Sequence, residues 1–360
     1  MNELNFIFVW LAGFYVLTNL TDVTVVENVN GKRVRRWNVW MAVLVFLPIF
    51  LIACLGTPRS DTWLYISGFE NLPTDWGEII NNLKSAESGQ GFILFEFLIK
   101  CSFGESVEAF RIAIALLHSI PIILVYRKYS ESYLMTMFLF VSGAFHIGWM
   151  MNGMRQFIAV TIIFAATPLL LQKKYCHLLI FILIASMFHI TALLMIPVVF
   201  IVQGKAWNEK TIFYIVMALL AMYVFDTYTG VMDFMLEGTE FEGAVQQWQA
   251  LGDDGTNPIR VLVNTIPMLL AFLGKQHIRQ ENDPVLNICV NMSVITTGLY
   301  LISMVTSGIM VGRLPIYTNL YNLILLPNLI PKMFTKNSER VVKLLMVGFY
   351  MMYYMAEVGF

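Results

Sequence analysis

Residues 146–189 read HIGWMMNGMRQFIAVTIIFAATPLLLQKKYCHLLIFILIASMFH. One arginine in this stretch, Arg155, stands between an apolar run that ends at Met151 and another that begins at Phe157. A guanidinium within apolar sequence is costly unless it meets water, a partner or an anionic ligand. The stretch therefore predicts membrane helices, and it predicts that Arg155 meets one of these three.

The composition of the whole chain agrees with a membrane protein. Of 360 residues, 58% are hydrophobic and 13% are charged, and the mean hydropathy is +0.69. In a typical soluble domain, about a quarter of the residues are charged. The formal net charge of -1 says little about partners, because the side of the membrane on which each charge lies matters more. We predict an all-α polytopic membrane protein that forms one integral-membrane domain over residues 1–360.

Sequence motifs exclude several classes of chemistry. The four cysteines stand singly, without a CxxC pair, and are interpreted as small hydrophobic residues. No P-loop, GxGxxG, HExxH or GxSxG motif lies in a suitable context, so nucleotide use, metalloprotease chemistry and serine-hydrolase chemistry have no support. We expect no cofactor, no metal and no nucleic-acid partner.

Apolar runs predict about twelve transmembrane helices, within a range of about 10 to 12, because a span needs about 20 apolar residues. The predicted helices are 5–22, 38–56, 107–126, 132–150, 153–171, 175–188, 190–203, 211–225, 258–275, 285–306, 314–330 and 341–358. The run 175–203 is too long for one upright span and short for two. Basic residues decide how it divides.

The positive-inside rule splits this run at His189. Four basic residues between positions 32 and 36 make the first loop cytoplasmic, which places the N-terminus outside. Lys205 and Lys210 then remain cytoplasmic only if the run breaks into two short helices. The same choice places both termini and two long segments outside. The first segment, 57–106, includes a stretch that suits an interfacial helix, and the second, 226–258, is acidic.

Seven basic residues break the cytoplasmic distribution: Arg59, Lys84, Lys100, Arg111, Arg155, Arg260 and Arg313. Lys84, Lys100 and Arg111 are assigned to solvent or lipid headgroups. The other four lie at predicted external helix ends, where they could converge on one cavity. A guanidinium presents a planar fork of donors that matches phosphate. These arginines predict an anionic, phosphate-bearing ligand at the outer leaflet; the alternative is that each pairs with a local carboxylate or reaches headgroups.

Three residues are candidates for proton transfer. Asp61 follows the predicted second helix beside Arg59 and precedes several aromatic residues, an arrangement that suits a base; the alternative is a helix cap. His146 and His189 lie at predicted external helix ends, where a histidine can bind a hydroxyl or move a proton. The alternative for both is a buried histidine that bonds a backbone carbonyl. His118 lies in mid-helix and is expected to serve packing.

Several of these segments resemble one known family. MRQFIAVTIIFAA (154–166) and KKYCHLLIFILIASMFHITALLMIP (173–197) are similar to the central signature of the EpsG family, which is grouped with Wzy-type polymerases of O-antigen, capsule and exopolysaccharide. RSDTWLYISGF (59–69), GFILFEFLIK (91–100) and GRLPIYTNLYNLILLPNLIP (312–331) resemble flanking features of that family. The resemblance spans roughly residues 57–331 and is strongest at 152–197.

The resemblance implies a glycosyl polymerase in the bacterial inner membrane, with an active site that faces the periplasm and an architecture compatible with the GT-C class. Donor and acceptor would be undecaprenyl-diphosphate-linked repeat units, with a chain-length regulator and a flippase as partners. Arg155, Arg313 and His189 match recurring polar residues of the family, and Asp61 matches its acidic position. Arg155 and Arg313, then Arg59 and Arg260, would bind the diphosphate, and Asp61, His146 and His189 compete as base.

Two other functions stay open at this point. A flippase for the same lipid-linked sugar would also use arginines, but its polar residues should reach both faces of the membrane. A membrane acyltransferase that modifies the glycan would also be polytopic, and it would draw on an acyl donor.

Overall fold

The computed structural model describes residues 3–29, 32–58, 61–86, 88–143, 145–227, 252–253 and 255–358. Within these ranges the chain forms nineteen α-helices, two short 3₁₀ helices and one β-hairpin. The elements in chain order are α1 Glu3–Leu20, β1 Thr24–Val29, β2 Lys32–Trp37, α2 Val39–Leu55, α3 Asp61–Asn71, α4 Trp76–Ser85, α5 Gln90–Phe103, α6 Val107–Tyr129, α7 Tyr133–Ser142, α8 Phe145–Met151, α9 Met154–Ala165, α10 Thr167–Leu171, α11 Tyr175–Phe188, a 3₁₀ helix Ile190–Leu194, α12 Met195–Ile201, α13 Glu209–Thr227, α14 Pro258–Leu273, α15 Lys275–Glu281, α16 Pro284–Met304, a 3₁₀ helix Val311–Arg313, α17 Ile316–Asn319, α18 Asn322–Met333 and α19 Lys336–Val358. The predicted helical class is confirmed.

Three described helices, α6, α16 and α19, are long and apolar enough to cross a membrane. Two bent pairs raise that number to at most five: α7 with α8, at 75°, and α14 with α15, at 67°. Helices α1, α2, α9 and α11 are apolar but shorter. The larger number of about twelve crossings stays a prediction, as does a GT-C-like architecture.

Four predicted helices divide differently from the expectation; two of them are 190–203, which forms a 3₁₀ helix and α12, and 314–330, which forms α17 and α18. The run 132–150 forms the bent pair α7 and α8, and 153–171 forms α9 and α10. Gly153 lies where α8 passes into α9, and a Cβ there would lie 2.0 Å from the ring of Trp149. The absence of a side chain at Gly153 therefore leaves room for the indole two residues before Arg155. The helix in 175–203 breaks where predicted, because α11 ends at Phe188 and His189 is its extended C-cap.

The β-hairpin was not predicted, because its basic residues were interpreted as a loop. β1 pairs antiparallel with β2, from Thr24 opposite Trp37 to Val29 opposite Lys32. Glu27 of β1 accepts hydrogen bonds from Arg36 (2.9 Å) and from Arg127 at the end of α6. These hydrogen bonds hold the pKa of Glu27 below its ordinary value, so the carboxylate fastens the hairpin to α6.

The chain divides into two compact units, Met1–Leu194 with Phe334–Phe360 and Met195–Met333. In the first unit, α6 packs against α2 and α9, and α9 packs against α11. Its core around α9 is a cluster of buried apolar side chains: Phe69, Phe92, Phe110, Ile114, Met154 and Ile158. The rings of Phe69 and Phe110 stack at 4.5 Å. This cluster joins α3, α5 and α6 to the start of α9.

In the second unit, α16 is the central helix, buried along nearly all its length. Tyr214 of α13 donates a hydrogen bond to the Ile295 carbonyl (3.0 Å). Asn287 and Asn291 of α16 accept hydrogen bonds from the backbone of Ala206 (2.9 Å) and Trp207 (3.0 Å). Buried amides thus fix the turn before α13 on α16, where an unsatisfied backbone N–H would be costly.

The segment 57–106 carries three helices, α3, α4 and α5, of which α5 covers the stretch predicted as an interfacial helix; its external, interfacial position stays a prediction. The assignment of Lys100 to solvent or headgroups was wrong, because its side chain is buried. Its Nζ donates to the carbonyls of Phe69 (3.1 Å), Glu70 (2.7 Å) and Leu72 (2.8 Å). The last carbonyls of a helix lack partners within it, so Lys100 closes the C-terminal end of α3. Arg111 likewise donates to the Gly56 carbonyl rather than lying in solvent.

Candidate functional site

Arg155 is the second residue of α9 and lies between aromatic rings of two other helices. Its Cζ is 5.9 Å from the ring centroid of Tyr65 in α3 and 6.0 Å from that of Phe92 in α5. The Nε atom is buried, and among the described residues it has no hydrogen-bond acceptor. The ring faces favour the cation while leaving its N–H donors available in the plane of the guanidinium.

The start of α9 is held from two sides. Thr62 of α3 donates to the Met151 carbonyl (3.0 Å), just before α9. On the other side, His118 Nε2 lies 3.3 Å from the Met154 carbonyl, and the His118 ring packs against Phe157 with centroids 5.0 Å apart. His118 therefore has the packing role that was predicted. Both carbonyls precede Arg155, so these contacts fix the backbone that leads into it.

Two glycines at the start of α5 allow close approaches, Gly89 to the guanidinium of Arg155 and Gly91 to α11. Gly89 caps α5 with φ +81, and a Cβ there would lie 3.0 Å from Nη1 of Arg155. Gly91 lies against α11, where a Cβ would be 2.8 Å from the Cβ of Met187 and 3.1 Å from its backbone. Because the α11 backbone cannot yield as a flexible side chain would, the space at Gly91 sets the distance between these helices.

We expect Gly91→Ala to separate α5 from α11 and to displace Phe92 from Arg155. Overpacking of this kind costs about 1–3 kcal/mol, which a thermal melt of the protein in detergent should show as a lower Tm. The matched control is Gly68→Ala in α3, where nothing lies within 4 Å of the added Cβ. Equal Tm values for the two variants would contradict the close packing.

Glu96 is a site residue that the sequence analysis missed. It lies one turn after Phe92 on the same face of α5 and is 6% exposed. Burial raises the pKa of Glu96 to about 8, although the positive charge of Arg155 acts to lower it. The carboxyl is therefore mostly un-ionised at neutral pH. The spacing from Phe92 is visible in the sequence, but the burial that changes its protonation is not.

Asp61 begins α3, and Tyr65 follows one helical turn later on the same face. Because Tyr65 lies over Arg155, Asp61 is on the side of α3 that faces the Arg155 site. Thr62, between them in sequence, is fully buried and fastens this end of α3. The position at the first turn also agrees with the alternative of a helix cap, so both predicted roles of Asp61 remain compatible with its place.

His189 reaches α9 through a short hydrogen-bonded chain. Its Nδ1 lies 2.7 Å from the hydroxyl of Thr191, to which Gln156 Nε2 donates at 3.4 Å. Gln156 directly follows Arg155 in the sequence. The half-buried imidazole of His189 is thus linked to the residue beside the guanidinium.

His146 is placed differently from the other candidates. It is 1% exposed and stacks on Phe140 (4.9 Å) and Phe145 (4.1 Å). Neither ring nitrogen meets strict hydrogen-bond geometry with a described residue, although the Phe140 backbone lies close enough to act on the imidazole. Its described contacts do not join it to Arg155, so its proposed role in catalysis has less geometric support than that of His189.

In the second unit, Arg260 and Arg313 lie on two segments that are fastened together. The backbone N–H of Thr256 donates to the Ser303 carbonyl (2.9 Å), and the two hydroxyls are 2.8 Å apart. A Cβ on Gly312 would lie 2.5 Å from Thr256 Oγ1. The start of α14, with a half-buried Arg260, is therefore held beside the 3₁₀ helix that carries an exposed Arg313.

Asp253 reinforces this connection. Its carboxylate accepts hydrogen bonds from Ser307 Oγ (2.6 Å) and from the N–H groups of Gly308 (2.9 Å) and Ile309 (3.1 Å). Burial alone would raise the pKa of Asp253, but these bonds and one from Gly255 lower it overall. Of the predicted acidic segment 226–258, the structure describes residues 226–227, 252–253 and 255–258.

The predicted convergence of four arginines stays a prediction. Arg59 lies outside the described residues, and Arg155 belongs to a different unit from Arg260 and Arg313. Within the first unit, the structure brings Arg155, Asp61 and Glu96 to neighbouring helix faces and links His189 to α9.

The apolar helices and the site around Arg155 define a helical membrane protein with a cationic, aromatic-lined site. The chain belongs to the EpsG family, whose family model matches residues 39–359. No curated protein and no solved structure matches the chain.

Proposed function

We propose that this protein is a glycosyl polymerase that joins undecaprenyl-diphosphate-linked oligosaccharide repeat units to build O-antigen, capsule or exopolysaccharide. It acts in the bacterial inner membrane, with its active site facing the periplasm. Membership of the EpsG family supports a polymerase of this broad kind. The observation that carries the proposal is the guanidinium of Arg155, which is partly buried between two aromatic rings with its Nε lacking a described acceptor.

The reaction makes one bond and breaks one bond. The acceptor hydroxyl oxygen of one repeat unit attacks the anomeric carbon of the donor glycan, and the bond from that carbon to the diphosphate oxygen breaks. Negative charge develops on the departing lipid diphosphate. A preorganised guanidinium in a site with little water stabilises that charge strongly, and this is the role of Arg155. Further contacts of Arg313, Arg260 and Arg59 with the diphosphate stay a prediction from the sequence.

The proton of the acceptor hydroxyl needs an acceptor within hydrogen-bond reach. Asp61 is the first choice, because it begins the helix whose Tyr65 covers Arg155. His189 is next, since its hydrogen-bonded chain ends on Gln156 of α9. His146 is the weakest of the three, given its aromatic surroundings. A chain-length regulator and a flippase for the lipid-linked units complete the set of partners.

A gel profile of surface glycan from a deletion strain tests the function. Loss of a polymerase leaves single repeat units on the surface lipid, and we expect this pattern. Loss of a flippase would leave none, and loss of an acyltransferase would leave a complete ladder of lengths. Either of these two profiles would contradict the proposal. Return of the ladder on expression of the wild-type chain is the control.

A further inference from the structure

We propose that Glu96 is the proton donor of the Arg155 site: its carboxyl donates a hydrogen bond to an oxygen of the bound diphosphate and protonates that oxygen as the anomeric bond breaks. This inference rests on the proposed function, because it assigns the leaving-group step of that reaction. It adds a second carboxyl with a role opposite to that of Asp61.

The geometry of α5 places Glu96 at this site. Gly89 and Phe92, at the start of α5, both lie against the guanidinium of Arg155. Glu96 follows Phe92 by four residues, so its side chain leaves the same face of the helix one turn further on. It is 6% exposed, and Arg155 is the charged group whose field acts on it. A ligand held by Arg155 along this face would meet the carboxyl next.

Other described titratable groups lie on α5 and on the helices packed against it, and of these only Asp61 and Tyr65 are placed at the Arg155 site. Lys100, four residues after Glu96, is directed to the carbonyls at the end of α3. The remaining ones are Cys101 on α5, Asp61, Tyr65 and Glu70 on α3, Glu78 and Lys84 on α4, Glu108, Arg111, His118, Tyr126, Arg127, Lys128 and Tyr129 on α6, and Tyr175, Cys176 and His177 on α11. Arg155 of α9 thus remains the charge to which Glu96 responds.

A carboxyl in an anion-binding site helps only in its protonated form. A carboxylate would repel the diphosphate, whereas a neutral carboxyl can donate its O–H to a phosphate oxygen. Burial keeps Glu96 in that neutral form at pH 7. Two carboxyl groups whose environments favour opposite protonation states commonly divide the acid and base roles of a reaction.

The proton balance then closes without a further reactant. The hydroxyl proton passes to the base, Asp61 in the first instance, and the proton of Glu96 passes to the departing diphosphate oxygen. After release of the lipid diphosphate, exchange with water removes the proton from the base and returns one to Glu96.

The test uses the purified full-length protein in vesicles, with lipid-linked repeat units as substrate. We expect Glu96→Gln to lower kcat by about 100-fold, the low end for loss of an acid catalyst, with little change in KM. Glutamine keeps a hydrogen-bond donor but cannot transfer a proton. Glu78→Gln, at an exposed position of α4, is the matched control and should behave as the wild type.

The pH profile separates proton donation from a structural role. The wild-type kcat should fall as the pH rises through about 8, because the protonated form of Glu96 is then lost. In Glu96→Gln this alkaline decline should be absent from the residual activity. A Glu96→Gln protein with wild-type kcat and an unchanged alkaline decline would overturn the inference.

Two further results separate a failure of this inference from a failure of the proposed function. If Glu96→Gln does not fold, a wild-type kcat that stays constant from pH 7 to about 9.5, where a donor of this kind would be deprotonated, overturns the inference by itself. If the wild-type protein does not elongate the substrate at any pH, the proposed function has failed instead.

Discussion

Arg155→Ala is expected to abolish long polymer, with elongation lowered by about 100-fold to 1,000-fold, the usual loss when one preorganised charge-stabilising donor is removed. Alanine removes both the charge and the fork of donors that faces the diphosphate. It also leaves the rings of Tyr65 and Phe92 without the cation between them. The measurement is the length distribution of surface glycan, together with the elongation rate of purified protein.

Arg155→Lys should fail almost as completely, although it keeps the charge. An ammonium group is a compact, strongly hydrated charge and cannot reproduce a bidentate fork that stacks on two rings. Arg33→Ala is the matched control, because Arg33 lies on an exposed face of the β-hairpin. Polymer of ordinary length from Arg155→Ala, at a normal level of inserted protein, would contradict the role of this arginine.

Lys100→Met is expected to have the largest effect on stability in the first unit. The lysine ammonium donates hydrogen bonds to three backbone carbonyls at the end of α3. Methionine keeps the length of the side chain but donates no hydrogen bond. Hydrogen bonds to a charged group contribute about 1.5–3 kcal/mol each, so a loss of about 3 kcal/mol is a conservative expectation for the three together. The Tm of the purified protein in detergent reports this loss.

Lys84→Met tests whether the effect is specific to the buried lysine. Lys84 is exposed near the end of α4, in the same segment of the chain, so the same substitution there should leave the Tm nearly unchanged. A Tm for Lys100→Met within a degree or so of the Lys84→Met value would show that the α3 carbonyls do not depend on this lysine.

Much of the helical framework could be predicted from the sequence, because apolar runs and basic clusters constrain it strongly. The end of α11 at Phe188 was predicted by keeping Lys205 and Lys210 on one side of a membrane. The β-hairpin was missed because the same rule counts charges and ignores strand pairing. The dipeptide Asn30-Gly31 between two strand-like stretches was the available signal, although those two residues lie outside the described part of the chain.

The site was predicted only in part, for a physical reason. Arg155 could be found because an isolated charged residue in an apolar run can be recognised from the sequence alone. Glu96 and Lys100 lie among ordinary helical residues, and their importance depends on burial against other helices. Burial decides whether a carboxyl is ionised and whether an ammonium meets carbonyls or water, and it is a property of the packed chain rather than of local sequence.

The most direct test of the central proposal is elongation of purified lipid-linked repeat units by the purified protein, without nucleotide or added metal. We predict a ladder of products that grows with time, with release of the lipid diphosphate for each unit joined. The same reaction with Arg155→Ala should leave the single units unchanged. Single units that persist with correctly folded wild-type protein, or a ladder of equal length with Arg155→Ala, would contradict a polymerase built around Arg155.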